Sequence, residues 1–249
     1  MASLWGMSRP IRFLPRPFDL VEITVRCFQS RHLLKPTNEL NRTFVGCLAK
    51  ARENRDLQVH AAVVLSNHYH LLVSPRDAQE LSRFMQHLNT NLSKELTHLI
   101  GWRGTAFETR YRAIPVSHEA KAQVARLDYL LRHGVKEGLV ASPLHWRGVH
   151  CARALSQGES LRGAWIDRTR LGRARRRRSP DKGPIDVARF TTEVEVELAP
   201  IPCWRELPQK VWRRFVQERI EAIEREAPTP DEGCQTCEPS TCEPRVRNP

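Results

Sequence analysis

The chain has 249 residues, with 40 lysines and arginines against 28 aspartates and glutamates, a formal net charge of +12. That excess gives a polyanion, nucleic acid first, a strong claim as partner. A hydrophobic fraction of 40% excludes global disorder, and the longest aliphatic run, residues 61–65, is far too short to cross a bilayer.

Residues 9–17 mix Arg9, Arg12 and Arg16 with three prolines, which predicts a basic extended arm over residues 1–18 and no secretory signal. In residues 19–28, Val21, Ile23, Val25 and Cys27 alternate with Glu22, Thr24 and Arg26, the period-two pattern of a half-buried strand. Thr37 is a candidate N-cap for a helix over residues 37–54, with Leu40, Phe44, Val45, Leu48 and Ala51 at helical spacing. Residues 57–65 and 68–73 read as two apolar strands joined by a turn at Ser66 and Asn67. Residues 78–100 place Leu81, Phe84, Met85, Leu88, Leu92, Leu96 and Leu99 on one helical stripe that stops at Gly101. A strand or extended segment over 105–116 and a helix over 119–133 follow. The order β-α-β-β-α-β-α predicts an α+β fold of the ferredoxin-like, split βαβ type. Its sheet is antiparallel with helices on one face, plus one added helix.

Beyond residue 150 the pattern loosens. Residues 167–182 carry eight basic residues against two acidic ones and read as a linker or nucleic-acid arm. Residues 194–198 suit a short strand and residues 207–226 a helix. The division expected is an arm at 1–18, a main domain at 19–150, a basic linker with a helical extension at 151–226, and a disordered tail at 227–249. The tail's Cys234, Cys237 and Cys242 are one ligand short of a closed zinc site. Cys27 and Cys47 lie in apolar-patterned segments, as reduced thiols of a reducing cytosol do.

The sharpest signal is His68-Tyr69-His70. Side chains alternate across a strand, so the two histidines share a face while Tyr69 points away, and two imidazoles on one face can clamp a metal. On the helix over 119–133, Val124, Leu127 and Leu131 form the apolar stripe, and Tyr129 and His133 lie nearly opposite it.

Together with Phe107-Glu108-Thr109-Arg110-Tyr111-Arg112, Leu127-Asp128-Tyr129 and Val135-Lys136-Glu137-Gly138-Leu139-Val140, these features resemble the single-tyrosine HUH transposases, more closely the REP-associated tyrosine transposases than the IS200-like insertion-sequence transposases. The resemblance runs from about residue 19 to 147. It implies a transposase that binds structured single-stranded DNA, cleaves it by attack of Tyr129 through a 5′-phosphotyrosine, and performs strand transfer. By the same resemblance His68, His70 and His133 bind a divalent metal ion, Mg2+ or Mn2+. Family members usually read Asn-Pro where this chain has His133-Gly134, so a decayed repeat-DNA-binding protein of the same fold is the alternative.

The chemistry fits those roles. Phosphodiester oxygens repel a nucleophile, and a cation held against them stabilises the charge of the transition state. Arg9, Arg12, Arg16, Arg103, Arg110, Arg112, Arg175, Arg176, Arg177 and Arg178 are the expected phosphate contacts. Trp102 and Trp146 are candidates for base stacking, with core packing the competing role. The partner expected is hairpin or palindromic-repeat single-stranded DNA, with no membrane, for a monomer or homodimer in the bacterial cytoplasm, at the nucleoid when bound to DNA. An RNA-binding ferredoxin-like module is disfavoured because the strands lack paired exposed aromatics.

Overall fold

The computed structural model describes residues 14, 16–108, 110–177 and 183–227. Arg9, Arg12, Arg178, most of the basic arm and the cysteine-bearing tail lie outside them.

Four antiparallel strands form the main sheet in the order β2-β3-β1-β4: β1 is Val21–Arg26, β2 Leu57–Val64, β3 His68–Pro75 and β4 Arg112–Pro115. Between them run α1, Asn38–Arg52, and α2, Ala78–Ile100, which complete the split βαβ. Each starts where the sequence provides a cap. Thr37 Oγ1 accepts from the Leu40 N–H at 3.1 Å, Asp77 Oδ1 accepts from the Glu80 N–H at 2.8 Å, and α2 stops at Gly101 with φ 66°.

Strand parity divides the sheet between two cores. On one face Val21, Ile23, Val25, Tyr69, Leu71 and Val73 pack against Phe44 and Leu48 of α1 and Phe84, Met85 and Leu88 of α2. On the other, Ala61, Val63 and Leu72 pack against α3, Ala120–Leu131, together with α4, Cys151–Gln157, and α6, Gln209–Arg225. The added helix therefore lies across the sheet from α1 and α2, and α6 docks beside it through Trp212, Val216, Ile220 and Ile223.

Three local expectations change. Of the strand or extended segment expected over 105–116, only Arg112–Pro115 is strand, with one bridge between Phe107 and Cys27, because the intervening chain leaves the sheet while Phe107 and Tyr111 pack into the first core. The helix over 119–133 ends at Leu131, because Gly134 takes φ 87° and turns the chain. Residues 167–182 are not all linker. Arg168–Arg177 is a helix, α5, whose Arg170 N–H donates to Asp167 Oδ1 at 2.9 Å and whose Arg168 pairs with Glu95 of α2.

A second, two-stranded sheet of β5, Leu161–Ile166, and β6, Thr191–Val196, lies against α1. Two glycines set that approach: a Cβ on Gly46 would sit 1.9 Å from the Ala164 carbonyl oxygen, and one on Gly163 would sit 2.5 Å from that of Arg42. Because backbone, not a movable side chain, blocks the added atom, Gly46→Ala should destabilise the fold by about 3 kcal/mol. An unchanged thermal midpoint would mean that the β5-β6 sheet can leave α1 freely.

His60 lies at a register shift of β2, between Val59 and Ala61, and is fully buried. Its Nδ1–H donates to the Ala199 carbonyl at 3.2 Å, which leaves Nε2 to accept from the Ser74 hydroxyl at 2.9 Å. Burial pushes its pKa down to about 4. In the unfolded chain the same ring takes up a proton near pH 6.5, so stability is fully present above that pH and is lost as the pH falls towards 4. The slope for this one proton is up to about 1.4 kcal/mol per pH unit. Melting temperatures measured in EDTA should fall from pH 7 to 5; a flat profile would show that His60 is protonated in the folded state.

Candidate active site

The polar face of β1 and β3 builds the site. His68 lies opposite Arg26 and His70 opposite Thr24, and Thr24 lies in turn opposite Arg112 of β4, so all five residues share one face. Tyr69 points the other way: its hydroxyl donates to Asn89 Oδ1 at 2.5 Å and its ring meets Phe44 edge-on. His133 arrives from the turn after α3, and one ring nitrogen from each of His68, His70 and His133 lies within 4.8 Å of the others. Tyr129 stands beside them, its ring centre 4.8 Å from that of His133 and 5.6 Å from that of His70.

Each imidazole is oriented through Nδ1. That of His68 donates to Asn67 Oδ1 at 2.6 Å, and that of His133 donates to Glu137 Oε1 at 3.1 Å. His70 Nδ1 is 3.1 Å from Thr24 Oγ1 and 3.8 Å from Glu22 Oε1. The Nε2 atoms of His70 and His133 are buried and have no hydrogen-bond partner among the described residues. Nitrogens so oriented and so left bare fit a metal ion, since ligating histidines typically give their other N–H to a carboxylate or neutral oxygen. Burial, reinforced by the neighbouring imidazoles and Arg26, lowers the pKa of His68 to about 4 and of His70 to about 3, and burial also lowers that of His133. All three rings are therefore neutral at pH 7, the state that ligates.

Gly134 has a part in this geometry. Its N–H donates to Glu137 Oε2 at 2.6 Å, so a single carboxylate holds both the turn and His133. Its φ of 87° and a would-be Cβ 2.8 Å from the Trp146 ring admit only glycine. The departure from Asn-Pro thus leaves the turn able to bring an imidazole to the cluster. Trp146 packs under this turn with its N–H donating to the Val64 carbonyl at 3.0 Å, while Trp102 donates to the Thr105 carbonyl at 3.2 Å.

The tyrosine's surroundings resist ionisation. Desolvation first, then the charges of Glu22 and Glu137, raise the Tyr129 pKa, against the opposing pull of Arg126 and Arg26. Arg126 lies 3.1 Å from Glu22 Oε2, and Lys136 sits over the Tyr129 ring at 5.7 Å.

Of the arginines expected to contact phosphate, Arg112 is exposed on the histidine face, and Arg103 and Arg110 are exposed in the segment leading to it. Arg16 is exposed and pairs with Asp19 at 3.6 Å. Arg175, Arg176 and Arg177 are elsewhere: α5 is tied to α2, behind the first core and across the sheet from the histidines. Sequence reasoning passed over Glu22, Thr24, Arg26, Asn67 and Glu137. For the three on β1 the signal was present, because they are the polar phase of the strand opposite His68 and His70.

Residues 23–129, less than half of the chain, match the family model described as Transposase IS200 like, and the matched segment ends on Tyr129. Among solved structures the chain is similar to a REP-associated tyrosine transposase bound to a REP hairpin, at 20% identity and TM-score 0.47 over 61% of this chain and 87% of that one. It is also similar to a "putative transposase" from Deinococcus radiodurans R1, at 16% identity and TM-score 0.33 over 49% of this chain and 95% of that one. No curated protein matches. Among the described residues no helix is long and apolar enough to cross a membrane.

Proposed function

We propose that the protein is a transposase acting on single-stranded, hairpin-bearing DNA, with Tyr129 as nucleophile and His68, His70 and His133 as the holders of a divalent cation, Mg2+ or Mn2+. The observation that carries this reading is the convergence of three oriented, neutral imidazoles beside the one tyrosine of α3. A bound divalent cation would supply charge stabilisation at the scissile phosphate and favour the tyrosinate that Glu22 and Glu137 otherwise oppose.

Tyr129 Oη attacks phosphorus and gives up its proton; the P–O bond to the 3′ oxygen breaks, leaving a 5′-phosphotyrosine and a free 3′-hydroxyl. The phosphoryl group stays activated in that ester, so a second 3′-hydroxyl can displace the tyrosine and join the strands without ATP. Arg26 and Arg112 border the same sheet face and hold the DNA backbone there, with Arg103 and Arg110 along its approach. Arg175, Arg176 and Arg177, remote from the histidines, would meet a more distant part of the DNA, with Arg9, Arg12 and Arg178 as further contacts.

The test is incubation with labelled hairpin DNA from the gene's flanks in Mn2+, Mg2+ or EDTA, followed by denaturing electrophoresis. A protein–DNA adduct formed with metal and lost in EDTA is expected. DNA binding without an adduct in any metal would refute cleavage and leave a repeat-binding protein.

A further inference from the structure

α6 lies outside the segment that matches the family model, yet it is tied to the helix that carries Tyr129. Arg219 Nη1 of α6 donates to Asp128 Oδ2 at 2.7 Å, immediately before the tyrosine. Arg132, at the end of α3, donates to Glu226 Oε2 at 2.6 Å, and Ser142 donates to Glu224 Oε1 at 2.5 Å. Beneath these polar ties Trp212, Val216, Ile220 and Ile223 share a core with Leu127, Leu130 and Leu131.

The two kinds of contact constrain different motions. Apolar packing holds α3 at a distance from α6 but tolerates small rotation and sliding, because it has no direction. A charged hydrogen bond has direction. Neighbouring residues on a helix point about 100° apart, so fixing where Asp128 points also fixes where Tyr129 points. The pair is half-buried, and among the described residues Asp128 Oδ1 and Arg219 Nε have no hydrogen-bond partner, so its one hydrogen bond is not duplicated by another arrangement.

We propose that α6 braces the tyrosine-bearing helix over its own sheet, and that Arg219, acting through Asp128, is a positioning residue for Tyr129. The catalytic part of this inference rests on the transposase reading above; the mechanical part does not.

The test uses the full chain. Arg219→Ala should slow single-turnover adduct formation by about 10- to 100-fold, the range for a displaced reacting group, while DNA and Mn2+ affinities stay within about twofold of wild type. Arg219→Lys, which keeps a charge for Asp128, should recover most of the rate. Asp128→Asn should slow the reaction likewise, and the double variant should be no slower than the worse single one, as expected for partners in a single interaction. Hydrogen exchange over residues 120–131 should rise in Arg219→Ala without a matching rise in β2 and β3. An unchanged adduct rate in Arg219→Ala would overturn the positioning role. So would a parallel fall in rate, DNA affinity and melting temperature that lysine does not rescue. Unchanged exchange would overturn the brace itself. If wild type forms no adduct, the transposase reading fails while the exchange measurement still decides the brace.

Discussion

Tyr129→Phe should abolish the covalent protein–DNA adduct, lowering its rate of formation by about 10⁴-fold or more, the scale seen when a nucleophile that works with its neighbours is removed. The substitution is nearly isosteric. The phenyl ring keeps the edge-on contacts with His70 and His133 and the half-buried place against the second core, so DNA binding and metal binding should persist. No other tyrosine can substitute. Tyr69 is fully buried on the opposite face with its hydroxyl donating to Asn89, and Tyr111 is half-buried against the first core. Denaturing gels with labelled hairpin DNA give the measurement, and an adduct of normal yield from the Phe variant would exclude Tyr129 as the nucleophile.

Glu137→Ala should weaken Mn2+ binding by about 10- to 100-fold, the usual cost of losing the acceptor that orients a ligating histidine. The carboxylate fixes the His133 tautomer by accepting from Nδ1, and it holds the turn by accepting the Gly134 N–H. Without it, Nδ1 loses its acceptor and the turn loses its tie, so Nε2 is no longer presented in one orientation. Calorimetric titration with Mn2+ measures the change directly. Equal affinity in wild type and variant would show that His133 is not held by Glu137, or does not ligate. The effect should be larger than that of Asn67→Ala, because a carboxylate is the stronger acceptor for an N–H that must polarise under a cation.

Much of this was legible in the sequence because the signals are local. Period-two alternation around Val21, Ile23 and Val25, the caps at Thr37 and Gly101, and the stripe along α2 each depend on residues within one element. His68 and His70 could be paired on one face for the same reason, since strand parity alone separates them from Tyr69. The elements beyond residue 150 were harder to see. α4 is only seven residues long, and the alternation of β5 is interrupted by Gly163, which is buried because α1 approaches its backbone. The arginine run of α5 has the composition of a linker, but arginine is a good helix former, and Asp167 and Glu95 supply a cap and an ion-pair partner.

The sequence by itself determined the element order as far as the helix of Tyr129 and the face shared by His68 and His70, because each follows from periodicity along a short stretch of chain; Tyr129 became a candidate through the family resemblance. Only the tertiary structure decided that His133 joins the two strand histidines, that Glu22, Thr24, Asn67 and Glu137 orient the rings, and that α6 holds the tyrosine's helix. Those facts join residues up to 94 positions apart, as Arg132 and Glu226 are, and no local periodicity encodes such a distance. It is set by how two cores on opposite faces of one sheet are filled, and that is a property of the packed chain as a whole.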